Sequence, residues 1–595
     1  MLSSKYCLLK FTITLTACIG IILPHLNYFY LNGYNSKIQL FFNLSICFGT
    51  ILIFAYEFGK NRILIIPKSD IILIIFIFYL IFLHLVGPYR NLYDSFVLKL
   101  AYSLIYFLTL KSIALRFGNL VLLKYLLVAA IVIEGIFIIG QLFHFIPNGN
   151  LLFSVGGSFG HPGYTSIYIA IAIIFLISNF DKLAYSTFWK YTFCILLLFS
   201  IAFNIKVISR TGLLLNACAI LIFFLNRYKV TSIPRRAKIL GIFCFISLAV
   251  LSILKTDSSH GRIFVMKNTI SLINKSLLFG NGTDSFSSTF NRNQMEYFAS
   301  GRGTEKEKLL ADYVTIPYND YLKIWFETGL VGLILLILYF VFLLYYETSK
   351  KKLLAENKYF VISFLIAMCF WNILGELPFL FLFFTVLALN NTQSTIPSLF
   401  ISQSYWKIIY YVPIMALSIF SGQKIYDKYI FTENKRQADG LALKDNFSKS
   451  IFYYKKATDI FVSQEVISAY ALALKSNGDI KYAIEFLKNN LNKYFSPDHL
   501  ILLGDLYFLE KRFDESLKYY WMAHFNLPSK FTPLYKIAKV YIYSKNRSET
   551  DIFIGMLMNK KIKIDSPSVL LMKEELKYLQ RRRDKISKEK LSIVN

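Results

Sequence analysis

The sequence predicts an all-α protein, a polytopic membrane bundle of about 12–13 spans followed by a soluble helical-repeat domain. Three observations carry that expectation. Hydrophobic residues make up 55% of the chain and charged residues only 17%, against about 25% charged in soluble domains, and mean hydropathy is +0.49. Apolar runs recur from near the N-terminus to Phe420, each matched to a bilayer core of about 30 Å. Beyond Asp427 the composition turns soluble and helical. Together these exclude a purely soluble enzyme, a disordered chain and a disulfide-built secreted scaffold, and 595 residues imply more than one folding unit.

The expected spans are Tyr6–Leu26, Ile38–Tyr56, Ile71–Val86, Tyr93–Leu110, Leu120–Phe145, Tyr164–Ile177, Trp189–Phe203, Val207–Leu225 and Ile239–Leu254. Four more follow a long hydrophilic stretch: Ile324–Tyr345, Tyr359–Leu374, the short Leu377–Leu389, and Tyr405–Phe420. Of the 65 basic residues, 30 lie from Lys428 onward with 19 acidic ones. The net charge of +29 is therefore spread between the tail and short inter-span loops, which does not point to nucleic acid. With the N-terminus cytoplasmic, the inner short loops hold nineteen Lys and Arg and the outer ones four, Lys37, Arg90, Lys206 and Arg210. That asymmetry orients the helices. It puts a loop at about 255–323, and everything after the last span, on the side away from the cytoplasm. The expected domains are thus 1–426 (membrane, with that long outer loop) and 427–595 (tail on the outer side). The seven cysteines all fall in apolar runs without ligand spacing and read as small apolar-facing side chains.

In the tail, Ser468–Leu491 reads as a helix, a Gly–Asp turn and a second helix; Leu502–His524 repeats the pattern and Leu534–Leu557 is a weaker copy. Corresponding residues such as Ala483 and Ser516 recur about 33 positions apart, a period similar to that of tetratricopeptide repeats; an unrelated helical bundle is the alternative. With no catalytic constellation, the tail reads as a docking or scaffolding element with room for a protein partner.

Four polar features stand out against the apolar background, where ionisable groups mark function. Val155–Thr165, VGGSFGHPGYT, holds Gly157, His161 and Pro162 in a segment suited to a re-entrant loop, or to a plain interhelical turn. Lys206–Gly212, KVISRTG, places Arg210 at an outer helix start, where a guanidinium either snorkels or meets an anion. Gly261–Gly282 carries Arg262 and Lys267 ahead of an apolar stretch ending in Gly-Asn-Gly. Tyr318–Gly332, YNDYLKIWFETGLVG, places Asn319, Asp320 and Glu327 at the outer membrane boundary. For the last two, a surface helix and a simple helix exit are the structural alternatives.

In order and spacing these features resemble the O-antigen ligase and O-oligosaccharyltransferase superfamily, which shares its membrane domain with polysaccharide polymerases. GSFGHPG resembles that family's Gly-x-Phe-x-Asn-Pro segment, with His161 in the Asn place; SRTG resembles its Ser-Arg-Gly/Ala turn. RIFVMKNTISLINKSLLFGNG resembles its Arg-x(3)-Trp … Pro-Leu-Phe-Gly-x-Gly run, with Met266 and Ser276 in the Trp and Pro places. YNDYLKIWFETGLVG resembles His-Asn-x-x-Leu-x-x-x-x-Glu-x-Gly-x-x-Gly, with Tyr318 in the place of the usual catalytic histidine. The run NQMEYFASGRGTEKEKLLADYV and the fused repeats resemble a branch common in Bacteroidetes.

The resemblance implies a glycosyltransferase, independent of metal and of other cofactors, that uses an undecaprenyl-diphosphate-linked glycan donor and a lipid, glycan or protein acceptor. Arg210 and Arg262 become the groups that stabilise the diphosphate leaving group, with Lys206 and Lys267 as helpers. His161, Gly157 and Pro162 shape the sugar pocket, and membrane lipids surround the spans. Tyr318, Asn319, Asp320 and Glu327 then form the region of the base. A phenol, with an ordinary pKa near 10, is a poor base at neutral pH. Asp320, Glu327, Asp312, His161 or His260 are its possible substitutes. The rival readings are a repeat-unit polymerase, a non-catalytic membrane scaffold and, against the lack of span duplication, a transporter.

Overall fold

The computed structural model describes residues 14–18, 20–22, 25, 40, 43–52, 64–87, 95–114, 120–150, 152–184, 186–228, 239, 256–346, 355–390, 398–401, 404–544, 547–560 and 566–594. In chain order its principal elements are β1 (Leu64–Pro67), α1 (Lys68–Val86), α2 (Phe96–Ala114), α3 (Leu120–Leu142), α4 (Pro162–Ser178), α5 (Thr187–Lys206) and α6 (Arg210–Arg227). Next come α7 (Thr256–Ile273), α8 (Phe286–Ala299), α9 (Glu305–Leu310), α10 (Asp320–Tyr346), α11 (Ala355–Met368), α12 (Leu377–Asn390), β2 (Ser398–Ile401) and α13 (Ser404–Ala442). The tail continues with α14 (Phe447–Ile460), α15 (Gln464–Asn477), α16 (Ile480–Leu491), α17 (Pro497–Leu509), α18 (Phe513–Asn526), α19 (Thr532–Tyr543), α20 (Arg547–Met558) and α21 (Pro567–Val594). The all-α expectation holds, apart from one antiparallel ribbon in which Leu64 pairs with Ile401 and Pro67 with Ser398.

Contacts divide the chain into two interleaved compact units. The first comprises Met1–Thr256, Ser276–Thr283 and Tyr318–Tyr429, the second Asp257–Lys275, Asp284–Pro317 and Ile430–Asn595. Much of the expected outer loop therefore groups with the tail, an arrangement that no local sequence pattern discloses.

The first unit is the apolar bundle. α1, α3, α5 and Asp320–Leu344 of α10 are long and apolar enough to cross a membrane; Asn43–Leu52, Pro162–Ser178, Arg210–Leu225, Lys358–Met368 and Leu377–Leu389 are shorter apolar helices. This is a multi-pass membrane protein. Most of the expected span Tyr6–Leu26, and nearly all of Ile239–Leu254, lie outside the described residues. α4 is the axis of the bundle: every residue from Thr165 to Ser178 is buried, because its sequence is apolar or small on all sides and leaves no face for solvent. It packs against α5, α6 and α11, while α2 packs on α12 and α1 on α10.

Two of the cations buried in this bundle show how such charges are accommodated. Lys111 Nζ lies 2.5 Å from Asp70 Oδ2, and Lys124 Nζ sits 3.9 Å from the centre of the Trp189 ring, a cation–π contact that offsets part of its desolvation.

The second unit is a helical array with the expected period. Ser450 Oγ donates to the Ala438 carbonyl (2.9 Å) and Tyr454 to Asp439 (2.6 Å). Sixty-six positions on, or two repeats, Ser516 Oγ donates to the Gly504 carbonyl (2.8 Å) and Tyr520 to Asp505 (2.6 Å). Ala471 and Ala483 occupy the corresponding places of the copy between them, both fully buried. The same hydrogen bonds thus lock the first and third helix pairs, and the first pair begins inside α13. Gly478 ends α15 at φ 90°, the left-handed turn that glycine adopts without a Cβ penalty. The loop helices join this array through a buried polar seam. Gln294 Nε2 donates to the Asn526 carbonyl (2.8 Å), Asn526 Nδ2 to the Asn291 carbonyl (2.6 Å) and Ser288 Oγ to the Asn492 carbonyl (3.0 Å).

Candidate functional site

The site grows from two breaks in otherwise apolar helices. The first is the Gly-rich segment before α4. Two side chains of α3 one heptad apart, and so on one face, hold it. Gln141 Oε1 accepts the N–H groups of Gly156 (2.9 Å) and Gly157 (2.8 Å), while its Nε2 donates to the Gly157 carbonyl (3.0 Å). The Glu134 carboxylate accepts the Ser158 N–H (3.1 Å) and the Ser158 hydroxyl, and lies 2.6 Å from His25 Nδ1. Gly157 stands at φ 63°, where a Cβ would strike Glu134 and Thr165. His161 caps α4: its ring Nδ1 accepts the Gly163 N–H at 3.0 Å, and Pro162 follows at the first helical position, where its missing N–H costs nothing.

The second break lies in α10. Gly329, at φ 70° and ψ −171°, interrupts the helix, and the turn-rich run Leu277–Gly282 fills the gap. Asn281 N–H bonds to the Phe326 carbonyl (2.9 Å), Gly282 N–H to that of Glu327 (3.0 Å), Leu330 N–H to that of Leu277 (2.9 Å) and Val331 N–H to that of Leu278 (3.3 Å). An interrupted helix at membrane depth needs such partners for its freed backbone groups. Gly280, at φ 73°, lets the two backbones meet: a Cβ there would come within 2.5 Å of the Glu327 carbonyl carbon.

Ahead of this break, Tyr318 takes φ 55°, a left-handed conformation uncommon outside glycine that marks functional sites when the surroundings enforce it. Asn319 caps α10, its Oδ1 accepting the Leu322 N–H (2.9 Å) while its Nδ2 donates to the Cys369 carbonyl (3.0 Å). Asp320 is buried, and its Oδ2 accepts the N–H groups of Ile373 (2.8 Å) and Leu374 (3.1 Å). That fixes the turn between α11 and α12. From the turn Trp371 reaches back, its ring centre 4.9 Å from those of His161 and Tyr164 and 6.2 Å from that of Tyr318. A Cβ on Gly163 would come within 2.3 Å of the Trp371 ring.

His161 and Tyr318, far apart in sequence, thus meet at Trp371, while Asn319 and Asp320 bind the backbone on either side of that tryptophan. Glu327 lies buried two turns on, at the break itself. Arg210 is the first residue of α6, half-buried, beyond a turn in which Ile208 takes φ 51° and Ser209 Oγ accepts the Gly212 N–H (3.4 Å). Lys206 ends α5, exposed.

Arg262 and Lys267 belong to the second unit, on α7, where Phe264 packs on Tyr297 and Phe298 and Lys267 Nζ lies 3.7 Å from Glu307. Asp312 and His260 are exposed in the same unit.

Sequence reasoning missed Trp371, Glu376, Lys99, Lys323, Glu134 and Gln141. Lys99 Nζ donates to the Gly375 carbonyl (2.9 Å), so the turn that carries Glu376 is gripped from both sides. Burial pushes the Glu376 carboxyl up, opposed by the Lys99 and Lys323 ammonium groups. The signal for half of these was present, since Glu134, Lys99 and Glu376 are ionisable residues in or between apolar runs.

A multi-pass bundle with a Gly-rich break, an interrupted helix and a buried polar cluster is a membrane protein organised around a site rather than around packing alone. Residues 163–337, under a third of the chain, match the family model described as O-antigen ligase. The match supports, at a coarse level, membrane glycan transfer between a lipid-linked glycan donor and an acceptor. No curated protein matches the chain significantly. The matched stretch contains Arg210, Arg262 and Tyr318–Glu327, and leaves outside it both the Gly157–Pro162 break and the Trp371–Glu376 turn.

Proposed function

We propose that this protein transfers an oligosaccharide or polysaccharide from an undecaprenyl-diphosphate carrier to an acceptor hydroxyl, on the outer face of a bacterial inner membrane. The observation that carries the reading is the meeting of His161 and Tyr318 at Trp371, with Asn319 and Asp320 fixing the backbone beside it, at the edge of and within the stretch matched by the family. Aromatic faces with polar groups between them suit a sugar, and the apolar helices suit a polyprenyl chain.

As the glycosidic bond breaks, negative charge develops on the diphosphate. Fixed guanidinium groups stabilise such charge strongly in a water-poor site. Arg210 and Arg262 take that role, with Lys206 and Lys267 in support, while Gly157, His161 and Pro162 shape the sugar pocket. The repeat tail, on the same periplasmic side, is a tetratricopeptide-like scaffold. Reconstituted protein incubated with the lipid-diphosphate glycan and native membranes as acceptor is expected to release lipid diphosphate and form a new glycoconjugate. R210A or R262A at normal protein level should slow the reaction by at least about 100-fold, the scale for one lost charge-stabilising donor; an undiminished rate in either variant refutes the role of that arginine. A repeat-unit polymerase would use the same donor, and lengthened lipid-linked chains as the product would favour it.

A further inference from the structure

A hydroxyl that attacks the anomeric carbon must lose its proton, and a positioned base assists. Three buried or half-buried carboxylates follow Tyr318 in the first unit and are candidates for that base: Asp320, Glu327 and Glu376. Asp320 is buried and its Oδ2 holds two backbone N–H groups of the turn between α11 and α12. Glu327 is buried at the helix break, its own carbonyl engaged by Gly282. Glu376 is different. It stands half-buried in extended conformation at the end of the Ile373–Gly375 turn, at φ −113° and ψ 117°. Asp320 pins that turn through the N–H groups of Ile373 and Leu374, and Lys99 pins it through the Gly375 carbonyl. The charged and titratable groups that interact with the Glu376 carboxylate are Lys99, Lys323, Asp320 and Tyr164. Tyr164 is itself packed on Trp371.

We propose that Glu376 is the general base of the transfer, held towards the Trp371 cluster by a turn that Asp320 and Lys99 immobilise. The inference rests on the transfer reading above. In the step, the Glu376 carboxylate takes the acceptor proton while the acceptor oxygen bonds to the anomeric carbon. The bond from that carbon to the phosphate oxygen breaks and its electron pair leaves on the lipid diphosphate; Glu376 then returns its proton to water. Burial raises the Glu376 carboxyl and makes it a stronger base, while the Lys99 and Lys323 ammonium groups oppose that rise. Asp320 and Lys99 are positioning residues here.

The test uses full-length protein in lipid bilayers, with undecaprenyl-diphosphate-linked glycan extracted from native membranes as donor and the native membrane fraction as acceptor. E376Q is expected to lower kcat by at least about 100-fold, with donor KM within about twofold, and to abolish the acidic limb of the pH–rate profile. A rate within fivefold of wild type, a retained acidic limb, or a loss expressed only in KM would overturn the proposal. K99Q supplies a second test should E376Q fail to accumulate. Losing a facing positive charge should move the acidic limb to higher pH, and an unmoved limb overturns the assignment. Wild-type protein that releases no lipid diphosphate would overturn the transfer reading and this one with it. Turnover indifferent to E376Q would overturn this one alone.

Discussion

Replacing Gly329 by Ala tests how the interrupted helix is built. At φ 70° and ψ −171° the residue occupies a region essentially reserved for glycine, so an Ala there is strained by about 1–3 kcal/mol. Its Cβ would lie 2.1 Å from the Leu278 carbonyl oxygen, 2.2 Å from the carbonyl carbon and 2.4 Å from Phe279 N. All three are backbone atoms that no rotamer change can move aside. Pushing Leu277–Phe279 away forfeits the bonds from Leu330 and Val331, at about 0.5–1.5 kcal/mol each in net terms. The two contributions together come to roughly 2–6 kcal/mol. Thermal unfolding in a fixed lipid bilayer should show G329A melting several degrees below wild type. G440A, at a position with nothing within 4 Å of the added Cβ, should melt at or slightly above it. Because Gly280 faces the same clasp, the G280A/G329A pair should cost less than the sum of the single changes. A G329A protein with wild-type melting temperature and yield would refute the idea that this close backbone approach holds the break.

Two further outcomes concern the second unit. Burial, with Lys560 and Lys308 nearby, pushes the His524 ring down to about 3, and burial also lowers His499. The unfolded chain therefore binds these protons first. Their contribution is complete above the unfolded value near 6.5 and is lost as pH falls from there towards 3. The loss amounts to a few kcal/mol, since each tenfold difference in proton affinity between the two states is worth about 1.4 kcal/mol. Protection factors in α17 and α18, corrected for the intrinsic pH dependence of amide exchange, should fall between pH 7 and pH 5, and H524F should flatten that fall; protection factors independent of pH would refute it. N526A removes the donor to the Asn291 carbonyl in a fully buried seam and should cost about 1–3 kcal/mol. It should also speed tryptic cleavage at Arg302, and unchanged cleavage would show that the seam does not secure the loop.

Much of the bundle was legible because a bilayer forces long apolar runs: Leu120–Phe145 became Leu120–Leu142, and even the short Leu377–Leu389 became a helix. The tail's period was legible from Ala483 and Ser516, but its first copy was not, because Ala438 and Asp439 sit at the end of the helix that begins as the last expected span. The break at Gly329 was hidden because apolar periodicity runs straight through it, and only φ and a docked second segment reveal it. His161 and Tyr318 were both singled out, yet their meeting depends on Trp371, about fifty residues past Tyr318 in a stretch that reads as another span. Local patterns report what a segment buries, not which distant segment it meets.

The seam that joins Gln294 and Asn291 to Asn526 has a practical outcome for anyone dissecting this protein. A fragment begun at residue 427 omits α8 and would uncover the Asn526 amide and the Tyr454–Phe495 core against which Met295 packs. Conversely, a membrane portion trimmed before the tail would strip the arginine-bearing helix of the aromatic bed that Tyr297 and Phe298 provide only while their own helix has something to lie on. A usable excised piece has to be a chimera, with residues 257–275 and 284–317 supplied through linkers alongside the repeats.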